Sequence, residues 1–410
     1  MNPRQQFAAA LWELAVFDQA ETTRPSFRAK AYREAVWVLD RLSPALSESE
    51  TELRSVPRIG AGIAALIMEF RETGEIGRLR ILREQLPAAT GQLGRLPRMT
   101  PRRLRWLKTE LGVESTDDLT FVIDTGAVAA LPGVGPTTAS LWKDRLEERA
   151  HAGIPAFRAA RYGTRLADHL EQHITDLVVV VSGAVRRLEE WVDVIDLVAT
   201  GGRGLRRFLR QSALVQSYRV VDDRIELGTL GGQVVVHQAP RGRAGSVLFE
   251  TTGPAAHVAT VREVIGAMSA SNEEAIYRGA GSQFIPAPAR AGDFPAGADV
   301  ITMADLRGDF HLHTDWSPDG RQDLETLVGR ARQAGYQYIA VTDHGSKLLF
   351  GGLTPEDLLR QRELIEKVAE ANPGFLILQG AELNIGRDGS VDYDDEVLTA
   401  LDFRLAGVHS

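Results

Sequence analysis

The strongest constraint on the fold of this chain is a set of imidazole and carboxylate side chains that returns at the ends of strand-like segments in its last hundred residues. The segments read HLHTDWSPDG at 311–320, TDH at 342–344, GAE at 380–382 and VHS at 408–410. Helical stretches near 323–333 and 355–371 separate them. Strands that alternate with covering helices form a parallel sheet or barrel, with functional side chains at the strand ends. The pattern therefore predicts a parallel (β/α) sheet or barrel that gathers metal ligands at one end.

Composition narrows the class of protein further. The chain has 410 residues, 44% of them apolar, which is enough for about two to four domains. It contains no cysteine, so disulfides and thiolate zinc sites are excluded and metal binding falls to His, Asp and Glu. No apolar run approaches the length of a membrane span. We therefore expect a cytoplasmic protein that makes no membrane contact.

The charge pattern limits how the chain can bind a polyanion. The formal net charge is -8, which argues against a surface that attracts nucleic acid everywhere. Arginine nevertheless clusters locally, at 102–105, 186–187, 206–210 and 241–243. Any contact with DNA is therefore expected to be confined to patches.

A Pro/Gly turn recurs among the short amphipathic helices of the first 150 residues. It occurs as VPRIGAG at 56–62 and LPGVGPT at 131–137, with a weaker copy, LPRMTP, at 96–101. One isolated copy would be explained as a link between antiparallel helices, but repetition favours DNA binding. Glycine lets the backbone approach a phosphate, and the next helix points free N–H groups outward. The expected backbone contacts, blind to base sequence, involve Gly60, Gly62, Gly133 and Gly135.

The weaker copy has lost its glycines, so a phosphate contact there depends on other groups. Arg102, Arg103 and Arg105 follow it directly and can offer positive charge instead. We expect this copy to contribute charge rather than close backbone approach.

With these turns and the metal-ligand motifs in this order, the chain resembles DNA polymerase family X in its bacterial form, which carries a polymerase and histidinol phosphatase (PHP) domain. The resemblance covers nearly the whole length and implies a multidomain α+β protein of the DNA-repair type that acts on gapped or nicked DNA. The implied domains are a helical lyase-like domain with a helix-hairpin-helix at 1–87, a fingers-like helix-hairpin-helix domain at 88–150, a palm-like nucleotidyltransferase domain at 151–240, a thumb-like domain and linker at 241–298, and the N-terminal part of a PHP domain at 299–410.

The resemblance implies a polymerase site within the palm-like domain, and this site has lost carboxylates. Relatives hold two magnesium ions with closely set carboxylates, two of which lie two residues apart on one strand and share a face. The matching positions are Val194 and Asp196, and the third carboxylate position is Val235. An isopropyl group offers magnesium neither charge nor lone pairs. We therefore expect Asp196 to be a residual carboxylate, Mg²⁺ to be short of ligands, and nucleotidyl transfer to be lost.

The phosphate-binding turn of the family has changed in the same direction. It usually reads Gly-Ser-x-Arg-Arg, whereas this chain has GAVRR at 183–187. The serine hydroxyl is gone, while Gly183, Arg186 and Arg187 stay as candidate ligands of a nucleotide phosphate. Asp193 is out of phase with Asp196 unless the strand bulges. A working polymerase that uses Asp193, Asp196 and another acid is the alternative interpretation.

The resemblance also implies a metal cluster in the PHP domain. The positions that match its ligands are His311, His313, Asp319, His344, Glu382 and His409. In the family these positions bind ions such as Mn²⁺ or Zn²⁺, which activate water and stabilise charge on a phosphodiester. The implied activity is that of a 3′-5′ exonuclease or phosphoesterase.

Relatives supply further ligands from strands beyond the position of Ser410, and a half-barrel leaves an open edge. We expect the sequence to be part of a longer chain, with a partner that covers the edge as the alternative. Three functions stay open at this point. They are a DNA-binding scaffold with a decayed polymerase site, a metal-dependent phosphoesterase complete only in a longer chain, and an active gap-filling polymerase, which Val194 and Val235 disfavour.

Overall fold

The structure is a computed structural model that describes residues 1–22, 24–150, 153–266, 269–290, 301, 303–348, 351–386 and 388–408, with the backbone alone at 148–150. It divides into two compact units, Met1–Ala298 and Asp299–Ser410. Among the described residues, no helix combines the length and the apolarity that crossing a bilayer requires.

The first unit begins with a helical region. Asn2 caps the first helix by accepting a hydrogen bond from the Gln5 backbone N–H (2.9 Å), while the Gln5 side chain accepts one from the Asn2 N–H (2.9 Å). Phe7 and Leu11 follow at helical spacing and are buried. The helices are α1 (Pro3–Ala20), α2 (Phe27–Val36), α3 (Glu50–Ser55), α4 (Ala61–Thr73), α5 (Gly77–Gln85), α6 (Thr90–Leu93), α7 (Pro101–Thr109), α8 (Thr116–Asp124) and α9 (Pro136–Ala150).

The repeated Pro/Gly turns have the same backbone shape in each copy. A hydrogen bond joins the fourth residue to the first: Ile59 N–H to the Val56 carbonyl (3.0 Å), Met99 to Leu96 (3.1 Å) and Val134 to Leu131 (3.1 Å). The third residue has a positive φ each time, +73° at Arg58, +58° at Arg98 and +74° at Gly133. Such a turn favours glycine at this position. The weaker copy has therefore kept the turn, although its third residue is arginine.

A mixed five-stranded sheet follows within the first unit. Its strand order is β2-β4-β7-β6-β5, with β4 and β7 parallel and the other pairs antiparallel. The strands are β2 (Leu177–Ser182), β4 (Ile195–Gly201), β5 (Val215–Val221), β6 (Arg224–Thr229) and β7 (Gly232–Ala239), and a short ladder joins β1 (Ile154–Pro155) to β3 (Trp191–Val192). The associated helices are α10 (Ala156–His173), α11 (Gly183–Arg186) and α12 (Leu205–Gln211).

The sheet and the helical region are joined by a buried polar cluster around Asp40. Its carboxylate accepts hydrogen bonds from the Ser212 hydroxyl (2.7 Å) and the Ala213 N–H (2.7 Å), and lies 3.0 Å from His169 Nε2. Arg4 completes the cluster at 3.2 Å. A buried carboxylate with this many partners ties α1 and the turn after α2 to the sheet.

Three helices complete the first unit: α13 (Ala244–Thr252), α14 (Ala255–Ile265) and α15 (Glu273–Gly279). They share a small apolar core in which Phe249 meets Tyr277 edge to face, with ring centroids 5.5 Å apart. Arg290 lies behind this core and pairs with Glu273 (2.7 Å).

The second unit is a parallel four-stranded sheet with the order β11-β10-β9-β8. Its elements are β8 (Gly308–Leu312), α16 (Leu324–Gln333), β9 (Tyr338–Val341), α17 (Pro355–Ala371), β10 (Leu376–Asn384), α18 (Asp395–Ala400) and β11 (Phe403–Gly407). Two strands separate β8 from β11, which would hold them about 14 Å apart in a flat sheet. Phe310 of β8 nevertheless meets Phe403 of β11 with ring centroids 4.9 Å apart. The sheet is therefore curled into half of a barrel, and the predicted fold class is confirmed.

Candidate functional site

The ends of β8, β9 and β10 bring the predicted metal ligands of the second unit together. His311 lies in β8 and His313 directly follows it, His344 follows β9, and Glu382 lies near the end of β10. These strands are parallel neighbours, so their C-terminal ends meet at one edge. Asp319 reaches the same place from the turn that follows His313.

Three imidazole rings converge on one carboxylate oxygen. Glu382 Oε2 lies 3.1 Å from His311 Nε2, 3.3 Å from His313 Nε2 and 3.3 Å from His344 Nδ1. Asp319 stands on the other side of His344, with 3.3 Å between Asp319 Oδ2 and His344 Nε2. Neutral imidazole nitrogens and carboxylate oxygens are donors that suit transition metals.

The five residues form two groups able to hold a metal ion. One group is His311, His313 and Glu382, and the other is His313, Asp319 and His344; within each group the ligand atoms lie within 4.8 Å of one another. His313 belongs to both. Its ring stacks on that of His344 with centroids 4.6 Å apart and 20° between the planes. The donor set and its convergence fit a metal centre.

The protonation of the site also suits metal binding. Burial lowers the pKa of His313, because it disfavours the charged ring. The pKa of Asp319 is also lowered: partial burial opposes ionisation, but the hydrogen bond with His344 and the nearby His313 outweigh it. His313 is thus held neutral and Asp319 charged, which are the forms that bind metals.

Asp343 belongs to this site and sequence analysis missed it. Its side chain is fully buried and accepts hydrogen bonds from the Thr314 N–H (2.8 Å), the Thr314 hydroxyl (2.6 Å) and Gln361 Nε2 (2.7 Å). One of its oxygens lies 4.0 Å from His313 Nδ1. A carboxylate behind a ligating histidine orients the ring. The signal for it was the acidic residue directly before His344 in TDH.

One predicted ligand, His409, lies outside the described residues. The roles of the other five as ligands stay predictions, although the fold brings them together.

In the first unit, Asp196 is the second residue of β4, so its carboxylate stands at the start of this strand. Val235 is its register partner on β7, and His237 lies two residues further on the same face. His237 Nε2 is 2.8 Å from Asp196 Oδ1. Asp193 is exposed in the bend before β4. The candidate polymerase carboxylate therefore has a histidine as its nearest ionisable partner.

The arginines of the phosphate turn are engaged within the protein. Arg187, expected to be available, donates to the Gly253 carbonyl (3.2 Å) and the Thr252 carbonyl (2.5 Å), and it pairs with Glu189. Arg186 pairs with Glu273 at 2.6 Å. Gly183 adopts a positive φ of +68° beside Asp196. A nucleotide phosphate would have to compete with these carboxylates for both guanidinium groups.

The predicted DNA-contacting glycines differ in how much free space surrounds them. A Cβ added to Gly60, Gly62 or Gly135 would meet nothing within 4 Å, so the backbone is open to a ligand at these positions. At Gly133 it would lie 3.3 Å from a guanidinium nitrogen of Arg103.

Arg103 is not the free charge that was expected beside the weaker turn. It donates to the Gly133 carbonyl (2.7 Å) and to the Arg98 carbonyl, and so ties the second and third turns together. Arg105 pairs with Glu21. The Thr100 hydroxyl accepts the Arg103 N–H (3.2 Å), which removes a donor from the helix start. Arg103, which follows the weaker turn, therefore stabilises the third turn through the Gly133 carbonyl.

Family models match both ends of the chain. A helix-hairpin-helix domain model matches residues 2–76 and a PHP domain model matches residues 309–405. With a similar full-length DNA polymerase/3′-5′ exonuclease, these two matches confirm the resemblance to bacterial family X DNA polymerases that carry a PHP domain.

The similar proteins agree with this assignment. The DNA polymerase/3′-5′ exonuclease PolX of Bacillus subtilis is 26% identical over 97% of this chain and 75% of its own length. A probable phosphatase of Caldicellulosiruptor saccharolyticus is 31% identical over 25% of this chain. The probable phosphatase YcdX of Escherichia coli is also 31% identical, over the same share. The matches cover only 42% and 40% of these phosphatases, less than half of their length.

Proposed function

We propose that this protein binds gapped or nicked DNA as a repair protein of the family X type and that its palm-like domain no longer transfers nucleotides. The observation that carries the second part is Asp196, which stands beside Val235 and shares a 2.8 Å contact with His237. The overall similarity to a DNA polymerase/3′-5′ exonuclease supports the first part.

The palm-like domain offers too few oxygen ligands for two magnesium ions. Two magnesium ions in a nucleotidyl-transfer site need several carboxylate oxygens, because Mg²⁺ demands near-octahedral oxygen coordination. Asp196 offers one carboxylate, and Val194 and Val235 offer none. His237 already interacts with one oxygen of Asp196. An imidazole in this position competes with a metal ion for the same lone pairs.

The engaged arginines support the same proposal. Arg186 and Arg187 are paired with Glu273 and Glu189, so their charge is already neutralised before any triphosphate arrives. Binding a triphosphate there requires both ion pairs to be exchanged. The site is therefore poorly organised for stabilising charge in a transition state.

Primer extension tests the loss of nucleotidyl transfer. The purified protein is incubated with a gapped primer–template and dNTPs in the presence of Mg²⁺ and, separately, Mn²⁺, and we expect no template-dependent extension. A gel shift with the same preparation shows that it is folded and binds DNA. Robust extension that disappears in Asp196→Asn would contradict the proposal and favour an active gap-filling polymerase.

We propose as a second function that the PHP domain hydrolyses phosphodiesters at DNA 3′ ends in a chain that carries the remaining ligands of the family. The convergence of His311, His313 and His344 on Glu382 supports it. Bound Mn²⁺ or Zn²⁺ would supply the Lewis acidity that activates water and stabilises charge on the phosphate. The three histidines, Asp319 and Glu382 would hold the metal.

End-labelled DNA tests this second function. This chain and a version extended by the remaining barrel strands are each incubated with Mn²⁺. Digestion from the 3′ end by the extended protein, abolished in its His344→Ala variant, is the expected result. If neither protein digests DNA while both bind Mn²⁺ in calorimetry, the phosphoesterase assignment fails.

A further inference from the structure

We infer that this protein has a second contact surface for the phosphate backbone of DNA, at the opposite end of the palm-like sheet from Asp196. This inference rests on the proposed DNA binding and adds a site to it. The surface, called the arginine patch, consists of Arg203, Arg206, Arg207, Arg210, Arg241 and Arg243, all of them exposed.

The parallel pairing of β4 and β7 assembles the arginine patch. Thr200 of β4 is the register partner of Ala239 of β7, so the segments that leave these two strands emerge side by side. One leads to Arg203 and α12, and the other to the turn at 241–243. A Cβ added to Gly201 would lie 3.6 Å from a guanidinium nitrogen of Arg241, so the two segments are in contact distance. Two arginine clusters separated in sequence thus become one surface.

The guanidinium groups of the arginine patch have no carboxylate partner. Across the ranges that the structure describes, none of the six lies within ion-pairing distance, 4.0 Å, of an acidic side chain, in contrast to Arg186, Arg187 and Arg290. Arg206 donates to the Gln238 side chain (2.6 Å) and Arg210 lies over the ring of Tyr218 at 5.0 Å. Most of the positive charge is therefore available to an external anion.

The local charge is positive even though the chain as a whole is acidic. Asp176 and Asp223 approach the surface through hydrogen bonds of their carbonyls with Gly202 and Gln238, and Asp222 is the neighbour of Asp223. Three carboxylates against six arginines leave an excess of positive charge. Like charges held close together destabilise a fold, and a protein with net charge -8 has acidic residues enough to neutralise them. A bound anion would supply the negative charge that this surface lacks.

The phosphate backbone of DNA is the ligand that fits this surface. Guanidinium groups bind phosphate oxygens through two parallel hydrogen bonds, which lysine cannot do. A row of such groups on two adjacent segments matches the repeated phosphates of one strand. Phosphate contacts of this kind ignore base sequence, as repair at random positions requires.

The arginine patch is separate from the palm site. Asp196 lies near the start of β4 and Gly201 is its last residue. Five residues of extended strand separate them, which corresponds to about 17 Å. Phosphate contacts at the arginine patch are therefore distinct from any contact at Asp196 and His237.

Salt-dependent DNA binding by a triple variant tests the inference. Arg203→Gln, Arg207→Gln and Arg243→Gln are combined, because these side chains make no hydrogen bond to the described residues and their loss should spare the fold. The matched control combines Arg80→Gln, Arg262→Gln and Arg360→Gln, three exposed arginines that are paired with Glu75, Glu250 and Asp357. Both variants lose the same net charge.

Fluorescence anisotropy with a labelled gapped duplex is recorded from about 50 to 200 mM salt, the range in which phosphate contacts dominate affinity. We expect the patch variant to bind at least about tenfold more weakly, with the slope of log affinity against log salt reduced by about 2.7, since each phosphate contact contributes about 0.9. The control should keep the slope of the natural protein. Thermal melting verifies that both variants are folded.

The possible outcomes separate this inference from the proposed function. If the natural protein does not bind DNA at all, the proposed function fails and the inference fails with it. If the natural protein binds and the patch variant matches it in affinity and slope, only the inference is overturned. Equal weakening of the patch and control variants also overturns it, because total charge would then explain the effect.

Discussion

Asp343 shows how a single residue outside the ligand set can decide the behaviour of a metal centre. It is buried, holds three hydrogen bonds and faces His313 Nδ1 at 4.0 Å. His313 Nε2 lies 3.3 Å from Glu382, and Asp319 faces Nδ1 at the same 4.0 Å distance as Asp343. We propose that the buried Asp343 helps to orient this ring.

Asp343→Asn tests this role. Asparagine replaces one acceptor oxygen with a donor and removes a negative charge near His313, so we expect the affinity for Mn²⁺ or Zn²⁺ to fall about tenfold or more. Calorimetric titration measures it. Gln361→Met is the matched control: it removes one donor to Asp343, should lower stability by about 1 kcal/mol and should leave metal affinity within about threefold. Unchanged affinity in Asp343→Asn would remove the residue from the site.

His237 illustrates a residue whose importance depends on its neighbour. In the sequence it follows three valines in a predicted strand, and no neighbouring residue indicates a functional role. The register of β4 and β7 sets it diagonally across from Asp196, within 2.8 Å. The residual carboxylate is thereby engaged, which supports the proposed loss of metal binding.

At the scale of elements, the three helix-hairpin-helix turns share one backbone shape but differ in the residue that begins the next helix. The three turns share a hydrogen bond and a positive φ, although only the last has glycine at the third position. Open glycines at the start of the following helix occur in the first and last copies, at Gly60 and Gly135. The weaker copy has Thr100 there, with its hydroxyl bonded to the helix. The first and last copies are therefore the expected phosphate contacts.

Gly60→Val combined with Gly135→Val tests this assignment. A Cβ meets nothing within 4 Å at either position and the φ of Gly60 is -83°, so the variant should fold normally. The new side chains hold a phosphate away from the backbone N–H groups, and we expect DNA affinity to fall about tenfold. Anisotropy on gapped DNA measures the change. The control is Gly329→Val in α16, where a Cβ is equally free. A folded double variant with natural affinity would move the contact elsewhere.

At the scale of the whole molecule, Asp40 joins the helical region to the five-stranded sheet. Burial opposes its ionisation, but hydrogen bonds from His169, Ala213 and Ser212, with the charge of Arg4, lower the pKa of Asp40 below its ordinary value of 3.8. A depressed folded-state pKa stabilises the fold above the unfolded-state value, and the stabilisation is lost as pH falls through the folded-state value.

Urea unfolding across pH tests the contribution of this cluster. We expect Asp40→Asn to lower the free energy of unfolding of the first unit by about 3 kcal/mol at neutral pH, because it leaves Arg4 without its buried partner. The difference from the natural protein should shrink as pH falls below about 4, where the unfolded-state carboxylate gains a proton, and it should be lost as pH passes through the lower folded-state pKa of Asp40. A difference that stays constant with pH would mean that the charge of Asp40 contributes nothing.

Much of this molecule follows from properties that are local in the sequence. Helical periodicity, strand–helix alternation and Pro/Gly turns predicted the N-terminal helices and the C-terminal parallel sheet or barrel, while the palm-like and thumb-like domains were implied by the resemblance. His311, His313, His344 and Glu382 stood out because each belongs to a strand end. Residues two apart on a strand share a face, and parallel strands end at one edge. These rules apply without knowing which distant segments pack against each other.

Only the tertiary structure decided which charges are engaged and which are available. The pairing of His237 with Asp196, the ion pairs of Arg186 and Arg187, the contact of Arg103 with the Gly133 carbonyl and the exposure of the arginine patch all depend on strand register and packing between distant segments. An arginine has the same sequence signature whether a carboxylate faces it or not. Its charge acts on an external ligand only where the fold leaves it without a partner, because Coulomb interactions depend on distance in space rather than on separation along the chain.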